Sequence, residues 1–237
     1  MASDIDENGN EKFPRTWNTD FIDAPQLIPS AQYAPIVAPG VVSKAIRKGS
    51  GVFPCLYALL AGSGLRISEA LALKMGDDGQ SDGLDLEMGL IHIRKTLKTP
   101  SAARKVDICD ALANFLRKNL STPIGEAIFL TKKGKPLAET TGYNHLKKDG
   151  IPGFHSFRRF RNTHLENTRI PSTLIKYWMG HSASGDMTQR YSKFEDLEIR
   201  KDWCHRAGLG FNLPDSKEEK DELRTLPDSQ FNALSCV

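Results

Sequence analysis

A mainly helical α+β fold with a small antiparallel sheet is what this sequence predicts, on three observations. Apolar residues recur at helical spacing in several stretches separated by Gly- and Pro-marked turns. One region between them, GLIHIRKTLK and RKVDIC around TPSAA, alternates apolar and polar residues as a strand, a loop and a returning strand do. The 237 residues, 39% apolar and 26% charged with 19 Gly and 13 Pro, suit a loop-rich soluble protein with a sizeable core.

Residues 1–40 carry an excess of acids and Pro14, Pro25, Pro29 and Pro35, with no helical period, and read as a flexible lead segment. From Val41, VVSKAIRKGSGVFPCLYALLAGSG predicts two helices and a turn, the second over roughly Pro54 to Leu60 and ended by Gly62 and Gly64. A third helix is expected to begin near Leu65, with Leu65, Leu71 and Leu73 turned inward. The turn-rich DDGQSDG leads into the hairpin, where Ile91, Ile93 and Leu97 fall in even steps and leave Arg94 and Lys98 on the opposite face. Then follow a helix at ALANFLRKNL, a short AIFL strand, the KKGKPL turn and a short helix at TGYNHLKKDG. A further helix is expected to end near Glu166, and another to be stopped by Gly180, which sets His181 at a bend. EDLEIRKDWCHRAG reads as the last helix, and residues 213–237 as a polar tail.

The formal net charge is only +3, but its distribution is uneven: Arg94 to Arg161 holds fifteen Lys or Arg against five Asp or Glu, enough to face a polyanion. Cys55, Cys109, Cys204 and Cys236 have neither metal-ligand nor disulfide-framework spacing and read as free thiols in a reducing interior. No apolar run is long enough to span a bilayer, and the acidic start lacks the form of a secretory signal. There is no internal repeat, heptad array or glycine-rich nucleotide loop.

The chemistry concentrates between His155 and Tyr191. His155 and Arg158, three apart, share a helical face on which a guanidinium grips two phosphate oxygens while an imidazole supplies another hydrogen bond. Tyr191 is the candidate nucleophile. Arg66 opens the third helix with Glu69 three residues on, placed to orient its guanidinium. Lys98 is available at the hairpin tip, with Lys95, His92 and Lys105 as alternatives. Each of these residues also has a plain reading as a helix-start polar group, a surface ion pair or a half-buried tyrosine.

Taken together, GLRISEALAL, LKTPSAARKVDI, HSFRR, and MGH followed shortly by Tyr191 resemble the catalytic domain of the tyrosine recombinases, the phage-integrase family, over residues 41–200. The resemblance implies a catalytic domain at 41–212 with Arg66, Lys98, His155, Arg158, His181 and Tyr191 as its active site. It implies one-strand-at-a-time DNA cleavage through a 3′-phosphotyrosyl bond with a free 5′-hydroxyl, followed by rejoining, as in integration, excision or inversion, with no metal or other cofactor. The partner implied is double-stranded DNA inside the cell, in cytoplasm or nucleoid. The chain is expected to be a monomer free in solution and a homotetramer on recombination-site DNA, possible accessory DNA-bending proteins assisting and no membrane involved. A catalytically silent DNA-binding relative and a type IB topoisomerase are the alternatives. The sequence departs from the family pattern in three ways. The His181-to-Tyr191 spacing is one residue longer than usual, the stretch before His155 is short, and the lead segment is too small for the helical clamping domain that usually precedes this one.

Overall fold

The computed structural model describes residue 7 and residues 37–95, 103–181 and 196–214, and every element named below lies in the unit Pro35–Val237. The helices are α1 (Pro39–Lys48), α2 (Phe53–Ser63), α3 (Ile67–Ala72), α4 (Asp110–Asn119), α5 (Glu139–Lys148), α6 (Phe154–Asn167), α7 (Ser172–Met179) and α8 (Leu197–Ala207). The strands are β1 (Lys74–Met75), β2 (Gly83–Asp85), β3 (Leu90–Ile93) and β4 (Arg104–Asp107).

Helix α2 is the element on which the others pack. Its sequence FPCLYALLAGS carries no charge and all eleven residues are buried, with α1, α4 and α6 against it. A helix that is apolar on every side must be enclosed, since fully burying each leucine contributes about 2 kcal/mol relative to exposure. It runs past Gly62 to Ser63 and stops at Gly64, whose φ of 73° places it in the left-handed region. Helix α3 starts two residues later than Leu65, which lies buried in the connection.

The sheet has the order β1-β2-β3-β4. β3 and β4 pair antiparallel, with Ile93 opposite Arg104, as the alternation predicts, and β2, which the sequence did not announce, pairs antiparallel with β3, Gly83 opposite His92. β1 adds a parallel edge pair, Lys74 with Gly83, so the sheet is mixed. The loop between β1 and β2 stays compact because Asp77 accepts the Gly79 N–H, and Asp78 those of Gln80 and Ser81. Ile91 and Ile93 face the core, and on the other face His92 is also buried, covered by Arg94 and Asp77. The AIFL segment makes two isolated bridges, Ala127 to Lys74 and Leu130 to Pro136, in place of the expected strand. Although the stretch before His155 is short, it accommodates the ten-residue helix α5.

Helix α8 folds back onto its own domain. Asp196 caps it, accepting from the N–H groups of Glu198 and Ile199. Its buried face is Arg200, Cys204 and Ala207, while Ile199 is exposed and Leu197 and Trp203 half-buried. Beyond it, Leu209 and Phe211 join the core, and the Asn212 N–H donates to Ser43 Oγ at 3.0 Å.

Candidate active site

Four of the six expected site residues fall within the described structure, and they come from three elements. Arg66 is the N-cap residue of α3, His155 and Arg158 lie in the first two turns of α6, and His181 follows the left-handed Gly180 that ends α7. Lys98 and Tyr191 lie outside the described residues.

Glu69 organises the α3 side. Its carboxylate accepts the Arg66 backbone N–H at 2.8 Å and Arg66 Nη1 at 2.9 Å, the first closing the N-terminus of the helix. From β4, Arg104 meets the same carboxylate in a fork, Nη1 to Oε1 at 3.0 Å and Nη2 to Oε2 at 2.9 Å, with both side chains only 1% exposed. Burial by itself raises the Glu69 carboxyl, but the hydrogen bonds and charge of Arg104, joined by those from Arg66, outweigh it and hold the group below its ordinary value. Arg104 Nε donates to the Trp178 carbonyl at 2.8 Å, so one guanidinium joins α3 to the end of α7. Arg66, on the open side of Glu69, keeps 28% of its side chain exposed.

Arg158 is held differently. Nη1 donates to the Gly64 carbonyl at 2.8 Å, and Nη2 to the Met179 carbonyl. Both acceptors sit where a helix ends in a left-handed glycine, which leaves its last carbonyls for an outside donor. Burial, then the nearby charge of Arg66, pushes the guanidinium down to about 10, and it stays charged at neutral pH. Gly180 also has to be glycine for space: a Cβ there would come within 2.7 Å of Arg104 Nη1.

Both exposed imidazoles feel this cationic group. His155 is pushed below its ordinary value by partial burial and by Arg159, Arg158 and Arg66. His181 is lowered by partial burial and by Arg158, Arg66, Arg104 and Lys176. The structure thus brings Arg66, His155, Arg158 and His181 into one electrostatic neighbourhood, with both guanidiniums biasing both imidazoles to the neutral form. Neutral imidazole both donates and accepts, so the cluster suits a tetrahedral anion whose protons move during reaction.

Of the alternatives to Lys98, His92 is engaged elsewhere. It is 6% exposed, with Nε2 3.3 Å from Asp77 and Nδ1 3.0 Å from Arg94. Lys95 and Lys105 are exposed. The residue missed in the sequence is Arg104. Its only local sign is a cation at the inward-facing position of a strand, a place that demands a buried acid partner.

The model of the phage integrase family matches residues 44–198, more than half of the chain. The chain belongs to that family. Among curated relatives in the family's range, tyrosine recombinase XerD of Staphylococcus aureus is 25% identical over 161 residues, covering 62% of this chain and 51% of the relative. A probable integrase/recombinase protein of Methanocaldococcus jannaschii is 28% identical over 164 residues, covering 62% and 48%. The chain therefore spans about half the length of the curated relatives it matches. The fold recurs in the integrase from mycobacterium phage Brujita, with a TM-score of 0.53 at 17% identity over 80% of this chain and 63% of that one. It recurs too in the XerA recombinase, with a TM-score of 0.51 at 20% identity over 72% and 64%.

Proposed function

We propose that the chain carries the catalytic domain, at residues 41–212, of a site-specific DNA strand-transfer enzyme that cuts and rejoins through a 3′-phosphotyrosyl intermediate. The observation that carries this reading is the clustering of Arg66 and Arg158, near enough for Arg66 to push the Arg158 guanidinium down and for both to bias the exposed imidazoles of His155 and His181 to the neutral form. Membership of the phage integrase family supports it.

In this reading the Tyr191 phenolate oxygen attacks the scissile phosphorus, and the bond to the 5′-oxygen breaks. A phenol with an ordinary pKa near 10 must lose its proton to do so, and His155 is the acceptor. Arg66 and Arg158 bind the non-bridging oxygens, and losing either contact costs about 3 kcal/mol of transition-state stabilisation. His181 donates a hydrogen bond to the same phosphate. Lys98 protonates the departing 5′-oxygen. The ester so formed keeps the energy of the cleaved diester, so rejoining is the reverse attack by whichever 5′-hydroxyl arrives, and no cofactor is required.

The partner is double-stranded DNA, met by a monomer that assembles as a tetramer on recombination-site DNA in the cell interior. Phosphate contacts alone position without reading sequence, so binding by this chain is expected to be salt-sensitive. The test is to incubate it with a pool of nicked duplexes of randomised sequence and recover protein-linked strands. Strands joined through their 3′ ends to Tyr191, and lost in Tyr191→Phe with DNA binding retained, are the expected result. An adduct on Tyr177, whose hydroxyl accepts the Lys105 N–H, or DNA binding with no adduct, would sink the reading.

A further inference from the structure

We infer that Arg104 is a positioning residue that sets both halves of the anion site at once; the inference rests on the reading above. Its side chain is only 1% exposed. The planar fork is fully committed in two directions: two donors to Glu69, which in turn fixes the Arg66 backbone and guanidinium, and Nε to the Trp178 carbonyl. The next carbonyl along α7, that of Met179, takes Arg158, and two residues further stands His181.

No other residue type performs this. A lysine ammonium is a single point, unable to hold both carboxylate oxygens and a carbonyl on the far side. The Gly180 backbone also lies close against the guanidinium, so that a Cβ there would come within 2.7 Å of Nη1. Removing the fork leaves Glu69 with Arg66 alone and frees the end of α7. Arg66 and His181 then lose a shared reference point, though neither is altered. Small displacements are enough, since catalysis falls by orders of magnitude when reacting groups move by about 1 Å.

The experiment compares Arg104→Lys with Arg66→Ala and wild type, using a duplex recovered from the randomised pool. It is made with either a phosphodiester or a methylphosphonate at the cleaved position. Methylphosphonate removes one non-bridging negative charge and with it much of the demand on Arg66. Arg104→Lys is expected to slow single-turnover adduct formation about 10- to 100-fold on phosphodiester, with DNA affinity unchanged within about twofold. On methylphosphonate the deficits of Arg104→Lys and Arg66→Ala should both shrink to about threefold. A deficit of equal size on both substrates marks general structural damage and overturns the inference, as does wild-type speed on phosphodiester.

A second arm measures binding of tungstate, a tetrahedral dianion, by calorimetry without DNA. Arg104→Lys and Arg66→Ala should each weaken it about tenfold. If wild type forms no adduct at all, the strand-transfer reading fails, and this arm decides the positioning role by itself: an Arg104-dependent tungstate site keeps it, and unchanged or absent binding overturns it. If Arg104→Lys does not fold, Glu69→Gln, which cuts the same relay with a neutral side chain of the same shape, must reproduce the pattern.

Discussion

Asp107 and Arg200 meet at 2.8 Å, Oδ2 to Nε, with the carboxylate fully enclosed and the guanidinium side chain 2% exposed. The same oxygen accepts the indole N–H of Trp178 at 2.8 Å. Strand β4, α7 and α8 therefore converge on one atom. Two further polar contacts hold the far end of α8, Arg161 Nη1 to the Gly208 carbonyl at 2.6 Å and His164 Nε2 to that of Ala207 at 2.7 Å.

Arg200→Met should destabilise the domain by about 3–5 kcal/mol, because it leaves a buried carboxylate without a countercharge and with Oδ1 already lacking a hydrogen-bond partner among the described residues. Adding Asp107→Asn in the same chain should recover part of that loss, since the uncompensated charge is then gone. Urea denaturation of the three variants checks both statements. A loss under about 1 kcal/mol for Arg200→Met would mean that this ion pair does not hold the helix.

Gly180→Ala should cost about 1–2 kcal/mol from the left-handed backbone at φ 60°, and more from the Cβ that would press on Arg104. The same change at Gly150, at φ 72° just past the end of α5 and with no described atom near an added Cβ, supplies the backbone contribution. The difference between the two Tm shifts measures the collision, and equal shifts would show that Arg104 moves aside freely.

The free protein's His155 and His181 should titrate below the 6.5 of an ordinary imidazole, seen by NMR of the ring protons. Partial burial and adjacent guanidiniums both disfavour the imidazolium. Arg158→Met should raise both midpoints. The linkage sign is set by which state takes the proton first. Below 6.5 the unfolded chain does, so these groups contribute less stability as pH falls towards their folded midpoints. Midpoints at or above 6.5 would contradict the electrostatic neighbourhood.

For Lys98, substitution by alanine should slow cleavage far more than it weakens DNA binding, and a 5′-phosphorothiolate, whose sulfur leaves without needing a proton, should restore much of the rate. Lys95→Ala should resemble the loss of one phosphate contact. Rescue of Lys95→Ala and not of Lys98→Ala would move the general acid to Lys95.

What was legible in the sequence was whatever depends on near neighbours. The periods of α1, α6 and α7 are carried by residues three or four apart, and so is the link from Arg66 to Glu69. Arg104 was not legible, because its partners Glu69 and Trp178 are 35 and 74 positions away. β1, with two residues, is too short to carry a period. Helix α8 gave no local sign of its buried face, since its large apolar side chains Leu197, Ile199 and Trp203 are half-buried or exposed. It docks instead by Arg200, Cys204 and Ala207, through an ion pair whose acid lies 93 positions earlier.

Arg158 is gripped by two carbonyls, which bring no charge, whereas Arg66 and Arg104 share the one carboxylate of Glu69. With both imidazoles neutral, the cluster of these four side chains carries a surplus of two positive charges. A phosphodiester in its ground state has one negative charge, and the five-coordinate arrangement formed as a phenolate adds to it has two. In the proposed strand transfer this surplus meets a growing negative charge, so the attraction strengthens as the reaction climbs. A second acid beside Arg158 would have tied it more firmly and halved that surplus.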